Sequence, residues 1–469
     1  MRIRSTIILC LVAMAGVAAA IVVEHAGPRR DDRVAEGRRR LLAPGALPVD
    51  AVSRITLLRA GEERVVLERS GEEWRQTEPV AHPMDSYSIR QLIGDAAAAE
   101  AIDRVVPDTA DESALGLAPP RAELRFEWPG GSLSMKLGRR GVGGRAYVQI
   151  RGDQHVYVVN QDLHERAVGA DVKEWRDRTI FRGAGVDSDR VEISSGEDAI
   201  VLVRQRKRWM MEQPVRTRLN EAALDELFQA LGRAQCGGFI LDRPSDLSRF
   251  GLGAPAGKLN VTGTRRERRG EQVIEREETQ RLLVGARMGV GAQDRFGMLE
   301  DRGVVIRLPE AVLRALFRQP RELVAATGSG VVPADVKSVR IDGPGGDVTL
   351  VRDLERWSSP DHADRPVRGE VVEALLETLT QVHAPEVELK EFPRELQVAT
   401  ITLYGYDARP LDTVRVTREP AHDGGPGRWA LENGDNVLRI FSPSLEMALT
   451  PEQFGLPGEE AGAAGRPRG

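Results

Sequence analysis

Apolar residues in this chain follow two spacings in turn, and the alternation recurs three times. The first is the two-residue spacing of a strand with one buried face. Arg54-Ile55-Thr56-Leu57-Leu58-Arg59 and Arg64-Val65-Val66-Leu67-Glu68 flank Ala60-Gly61-Glu62-Glu63, a hairpin signal, and a shorter run Glu73-Trp74-Arg75-Gln76-Thr77 ends at Pro79. The pattern returns in Arg190-Val191-Glu192-Ile193, Ala199-Ile200-Val201-Leu202-Val203 and Arg208-Trp209-Met210-Met211. It returns again in Ser338-Val339-Arg340-Ile341, Asp347-Val348-Thr349-Leu350-Val351 and Arg356-Trp357. The second spacing is helical. Ile89, Leu92 and Ile93, then Leu224, Leu227, Phe228 and Leu231, then Val372, Leu375, Leu376 and Leu379 fall on one helix face each time. Asp85 and Asn220 stand just before the first two of these stripes, where a side-chain oxygen can cap a free backbone N–H.

Trp74, Trp209 and Trp357 hold the same place in each copy, so the chain repeats with a period of roughly 140 residues. A tryptophan at a fixed offset from a helical stripe reads as the packing partner of that stripe; a ligand-stacking ring is the rival reading. After each helix, Arg104-Val105-Val106, Phe239-Ile240-Leu241 and Val387-Glu388-Leu389 suggest a further strand. Leu115-Gly116-Leu117-Ala118-Pro119-Pro120 then matches Phe250-Gly251-Leu252-Gly253-Ala254-Pro255, whereas the third copy has Phe392-Pro393-Arg394-Glu395. Each copy closes on alternating runs such as Ala122-Glu123-Leu124-Arg125-Phe126-Glu127, the signature of an antiparallel sheet with one wet face. A short helix over 308–318 precedes the third copy. These elements predict an α+β fold of three tandem repeats, each a three-stranded antiparallel meander packed on a helix followed by further antiparallel strands. The expected organisation is an N-terminal membrane anchor or signal segment at 1–25, a linker at 26–50, repeat 1 at 51–183, repeat 2 at 184–330, a degenerate repeat 3 at 335–450, and a disordered tail at 451–469.

The N-terminal segment carries Arg2 and Arg4 ahead of an uncharged apolar run at 7–23. That length lies between a signal-peptide core and a membrane span of about 20 residues. Ala18-Ala19-Ala20 offers a cleavage site, but Ile21-Val22-Val23 continues the run, which favours an uncleaved anchor over a cleaved signal. Leu9 before Cys10 excludes a lipoprotein cysteine. Arg29, Arg30, Arg33 and Arg38-Arg39-Arg40 pull the C-terminal side towards the cytoplasm, while the short basic N-terminus is an export layout. Export to the periplasmic side is the expectation.

Composition adds exclusions. A chain of 469 residues exceeds one core. A net charge of −5 gives no electrostatic case for nucleic acid. Lysine occurs only at 136, 173, 207, 258, 337 and 390, a skew towards arginine that GC-rich coding explains. Cys236 aligns with Ala101 and Ala384 and reads as a small buried filler, with no partner for a disulfide in the folded part.

Motifs that suggest chemistry have plainer readings. Gly138-Arg139-Arg140-Gly141-Val142-Gly143-Gly144 lacks the Lys-Ser/Thr of a phosphate loop and precedes no helix; Gly285-Ala286-Arg287-Met288-Gly289-Val290-Gly291 repeats it, as a wide hairpin connection would. Arg151-Gly152-Asp153 has counterparts Asp301-Arg302-Gly303 and Asn433-Gly434-Asp435, which makes it a tight turn. The histidines, His25, His82, His155, His164, His362, His383 and His422, show no metal-ligand spacing and read as surface residues. No catalytic, cofactor-binding or metal residue is assigned, and an enzymatic role is not favoured.

Taken together, Ile55-Thr56-Leu57, Trp74-Arg75-Gln76-Thr77-Glu78-Pro79, the helix from Ser88, Leu115-Gly116-Leu117-Ala118-Pro119-Pro120-Arg121-Ala122 and Val156-Tyr157-Val158-Val159 resemble the family numbered 4340 among the domains of unknown function. Repeat 2 matches through 209–214 and 250–255, and repeat 3 through its opening strands, Trp357 and helix. The resemblance implies a bacterial protein held by one N-terminal span and encoded beside subunits of an ABC-type exporter related to gliding-motility transporters. It carries over no catalytic residues. The expected function is therefore a non-enzymatic envelope protein, an accessory component of an ABC-type transport or gliding-motility-like assembly. Its partners would be transporter subunits and, through 7–23, the inner membrane. An envelope glycan-binding module is the alternative and an unrecognised hydrolase the third reading.

Overall fold

The computed structural model describes residues 39–105, 111–184, 188–269, 272–354, 356–419 and 427–458. The expected anchor at 7–23 and the stretch 459–469 lie outside them. Among the described residues no helix is long and apolar enough to cross a membrane.

The first repeat runs β1 (Arg39–Arg40), β2 (Arg54–Arg59), β3 (Val65–Ser70), β4 (Glu73–Glu78), β5 (His82–Met84), α1 (Ser86–Ala97), β6 (Glu100–Val105), β7 (Ala122–Trp128), β8 (Gly131–Arg140), β9 (Arg145–Ile150) and β10 (Val156–Asn160). All ten strands form one antiparallel sheet in the order β1-β6-β10-β9-β8-β7-β2-β3-β4-β5. This corrects the α+β expectation: there is no separate meander packed on a helix. The opening meander and the closing strands are halves of one sheet, joined where β2 pairs with β7. Ile55 faces Phe126 and Leu57 faces Leu124 across that seam, all four buried. Local periodicity shows each strand but not a pairing between strands so distant in sequence.

The second and third repeats have the same wiring. β11 (Ser188–Ser195), β12 (Asp198–Gln205), β13 (Arg208–Gln213), β14 (Thr217–Arg218), α2 (Glu221–Arg233), β15 (Gly238–Asp242), β16 (Gly257–Arg269), β17 (Gln272–Arg287), β18 (Arg295–Leu299) and β19 (Val304–Leu308) form a nine-stranded sheet. β20 (Ser338–Gly343), β21 (Gly346–Asp353), β22 (Arg356–Ser358), α3 (Gly369–Thr380), β23 (Glu386–Leu389), β24 (Gln397–Tyr404), β25 (Pro410–Glu419), β26 (Arg428–Glu432) and β27 (Val437–Phe441) form an eight-stranded one. Read from the strand after the helix, the orders β6-β10-β9-β8-β7-β2-β3-β4-β5, β15-β19-β18-β17-β16-β11-β12-β13-β14 and β23-β27-β26-β25-β24-β20-β21-β22 superpose element by element. The molecule is therefore a predominantly antiparallel β protein with one long helix per sheet.

That helix has a geometric consequence. It joins β5 to β6, which lie on opposite sides of the sheet. Eight strand spacings of about 4.8 Å make a flat sheet ~38 Å wide. A helix the length of α1 reaches ~18 Å, or about 28 Å with its flanking residues extended. The sheet must curl until its borders approach, with the helix inside the curl. Burial agrees: Ile89, Leu92, Ile93 and Ala96 share one core with Leu57, Leu67, Leu124, Phe126 and Val148. Asp85 caps α1 through the N–H groups of Tyr87 and Ser88, and Asn220 caps α2 through that of Ala223. Arg368 before α3 provides no such cap.

Two expected boundaries shift. The second half of the linker is folded, with Leu42 and Leu47 buried against the first core. The tail expected to be disordered instead closes the third core: Pro451–Phe454 forms a short 3-10 turn, and Phe454 and Leu456 are 0% and 3% exposed. Alternating sheet patterns have no equivalent in these short apolar fragments, so neither was visible as structure.

The chain divides into two compact units, 1–178 and 179–469. Within the second unit, repeats 2 and 3 are joined by a buried polar network. Arg439, fully buried, pairs with Asp435 at 2.7 Å and donates to the carbonyls of Ala325 and Val437; Thr217 donates to the same Asp435 carboxylate. Beside it Arg218 donates to the carbonyl of Thr327, and burial lowers its proton affinity.

Candidate functional site

Two surface features stand out from the fold. The first is a groove of about 610 Å³ on the outer face of the first sheet. Register builds its floor. Leu58 faces Glu123, Glu123 faces Lys136, and Lys136 faces Gln149, while Thr56, Arg125 and Ser134 form the adjacent row. These are the outward positions of strands whose inward positions are the core. The turn Arg151-Gly152-Asp153 closes one end, with Gly152 at φ +92° as a tight turn requires.

Asp153 does more than turn the chain. Its carboxylate accepts from the Tyr157 hydroxyl at 2.6 Å, from the His155 backbone N–H at 2.9 Å, and meets His155 Nδ1 at 2.8 Å. These bonds, that from Tyr157 foremost, hold its pKa down at about 2, and the same carboxylate raises that of Tyr157. A carboxylate orienting an imidazole is part of a hydrolytic triad. Among the described residues, however, no hydroxyl or thiol hydrogen-bonds the other ring nitrogen of His155. Groups of three or more His, Cys, Asp or Glu side chains placed to hold a metal are also lacking among the described residues.

The second feature is in repeat 2. Trp74 and Trp357 are buried, at 3% and 7% exposure, as packing partners of their helices. Trp209 is not: it is half-buried, stacked at 4.9 Å on an equally half-buried Phe228, and opens a pocket of about 480 Å³ with Arg204, Lys207, Leu224 and Asp225. The tryptophan packs on its helical stripe in all three repeats, but in repeat 2 it is less deeply buried. Register shows what differs. Arg352 faces Trp357 across β21 and β22, as Arg204 faces Trp209 across β12 and β13. In repeat 3 the Arg352 guanidinium lies 4.8 Å over the Trp357 ring, and Glu373 accepts from both Arg352 and the indole N–H at 2.9 and 2.8 Å. Asp225 stands where Glu373 would be, one methylene shorter, and makes no ion pair among the described residues. Arg204 instead donates to the carbonyl of Ser188. Among the described residues the Trp357 ring is covered by Arg352 and Glu373, whereas no side chain is stacked in the same way over the outer face of Trp209.

Other sequence candidates resolve into structure. Gly138 and Gly285 are places of close approach: a Cβ there would stand 2.5 Å from the Leu115 carbonyl oxygen and 2.2 Å from that of Phe250. The Leu-Gly-Leu and Phe-Gly-Leu segments thus lie directly on the glycine-bearing strands, and Arg139 N–H donates to the Leu115 carbonyl. The glycine run is a packing device and hairpin, as its repetition suggested. His82 and His164 correct the surface reading, since both are fully buried. His164 Nε2 bonds the Tyr147 carbonyl, and burial pushes its pKa down to about 4. His82 Nδ1 bonds the Pro83 carbonyl. Cys236 is buried and forms no disulfide among the described residues. His25 and His422 lie outside the described residues.

Geometry and register define a repeat protein of curled antiparallel sheets, each wound round one capped or uncapped helix. The family model described as a domain of unknown function (DUF4340) matches residues 74–244 and again 209–408. The chain belongs to that family. Both matches begin on the repeat tryptophan, Trp74 and Trp209, and they overlap across the second tryptophan and helix. Each matched stretch starts inside one sheet, at β4 or β13, and runs on into elements of the next. Among curated proteins nothing matches the chain.

Proposed function

We propose that this protein is a non-enzymatic, protein-binding scaffold of the bacterial envelope, serving an ABC-type transport or gliding-motility-like assembly. The observation that carries the scaffold reading is the threefold reuse of one sheet wiring, stiffened between repeats 2 and 3 by the Arg439–Asp435 network. A repeated module multiplies surface for partners without requiring a reaction centre. The transporter assignment rests on the family resemblance, and the periplasmic address on the basic N-terminus and apolar run 7–23. The most exposed aromatic rings give the glycan-binding alternative no support: Tyr87 and Tyr406, each 66% exposed, sit on a helix and a turn, not on a sheet face.

The test is crosslinking in the native envelope followed by recovery through a C-terminal tag. Recovery of permease or ATPase subunits supports the reading; glycan alone, or a clean preparation, overturns it. Protease added to intact spheroplasts checks the address, with degradation of the tagged bulk expected.

A further inference from the structure

We propose that the groove on the outer face of the first sheet binds a carboxylate-bearing segment of a protein partner, its carboxylate held by Lys136 and Arg151. The inference rests on the protein-binding reading above and assigns it a surface and a chemistry. It comes from one level of outward positions that register makes equivalent in the three sheets. Lys136 faces Gln149 there in repeat 1, Leu283 faces Met298 in repeat 2, and Arg415 faces Glu432 in repeat 3. The two sister pairs are complete. In repeat 3 the Arg415 guanidinium donates to Glu432 at 2.7 Å and lies 4.7 Å over the Phe392 ring. In repeat 2 both members are apolar and pack against the cluster of Phe250, Leu252 and Val305.

Repeat 1 keeps the cation and loses its counter-ion. Gln149 stands where Glu432 would be, a neutral amide that donates to Glu112 at 3.3 Å. Glu123 faces Lys136 from the other side, yet Lys136 forms no ion pair among the described residues. Arg151, exposed at the end of the groove, has no side-chain partner among them either. The remaining cations of the groove are engaged, Arg64 with Glu78 and Arg125 with Glu127. Against two uncommitted cations the groove sets one uncommitted carboxylate, Glu123, because Asp153 is occupied by Tyr157 and His155. One further negative charge balances the set, which suits a carboxylate better than a doubly charged phosphate. Leu58, 44% exposed, and Ile150 add apolar surface beside the cations, so the fitting acidic residue has apolar neighbours. A concave site of about 610 Å³ that mixes apolar walls with a few placed charges takes a short segment, not a lone ion.

The test uses the full chain in detergent and a rhodamine-labelled peptide with one glutamate between two leucines; its counterpart has glutamine at that place. Binding is read by anisotropy. The glutamate peptide is expected to bind, and the glutamine peptide to bind roughly tenfold more weakly. Lys136→Gln should weaken binding of the glutamate peptide by a similar factor, and Lys136→Arg should retain it. The exchange of Glu112→Gln with Gln149→Glu keeps an amide opposite a carboxylate but moves the charge beside Lys136, and should abolish binding. An unchanged melting transition shows that the exchange spares the fold; if the transition drops, the two Lys136 variants decide alone. Equal binding of the two peptides, or indifference to Lys136→Gln, would overturn the proposal. Uptake of inorganic phosphate or of a uronic-acid oligosaccharide in place of the acidic peptide would overturn it too. If the peptide fails while envelope crosslinking still recovers transporter subunits, this site is wrong and the scaffold reading stands. If both fail, the scaffold reading falls too.

Discussion

At the scale of single residues, burial decides which titratable groups matter. His164 is held neutral, with a pKa of about 4 against an ordinary 6.5, because it lies in the first core with one backbone bond. As pH falls below 6.5 the unfolded chain takes up a proton that the folded chain refuses. Its contribution is thus fully present above 6.5 and drains away down to about pH 4, by about 3 kcal/mol in all. Chemical denaturation at a series of pH values should show that decline, and His164→Gln should flatten it; an unchanged slope in the variant would place the titration elsewhere. Asp153, with its depressed value, adds a loss in the same direction only at lower pH, from about 3.8 towards 2. Arg439 makes a second residue-scale case. Removing its partner by Asp435→Ala leaves a guanidinium buried without a counter-charge, at a cost of about 3–5 kcal/mol. Calorimetry of the full chain should record a lowered transition for the second unit.

At the scale of elements, caps and close approaches set what can be changed. Asn220→Ala removes the acceptor for the Ala223 N–H and should cost about 1 kcal/mol, by denaturant titration. Leu227, fully buried on the same helix, should cost about 2–5 kcal/mol as alanine. Gly138→Ala forces a methyl against the Leu115 carbonyl and should destabilise by about 1–3 kcal/mol, whereas Gly130→Ala meets no atom and tests instead the strain of its φ of +93°. Helices and hairpins were legible because their signals are local: the stripes of Leu224 to Leu231 and of Val372 to Leu379, the caps, and the glycine turns need only neighbours in sequence. The lid over Trp357 was not, because Arg352, Trp357 and Glu373 meet only after a hairpin and a helix have packed together. A comparison of aligned repeats could have shown the aspartate at 225, but not that the Trp209 ring is less deeply buried.

At the scale of the whole molecule, the closing fragment 451–456 is part of the third repeat. Phe454→Ala should lose about 3–5 kcal/mol as a cavity forms under α3, and limited proteolysis should then cut the third repeat first. By itself the sequence determined the threefold period, the strands and helices of each copy, the turns and the family, because periodic burial writes those into short windows. Tertiary structure alone decided that the two halves of each repeat make one curled sheet, since the β2–β7 seam joins residues far apart along the chain. It alone decided that the apolar fragments at 42–47 and 451–456 belong to cores. And it alone decided which of three similar tryptophans is less deeply buried, because a ring is sealed or exposed by side chains from separate elements whose meeting no local pattern records.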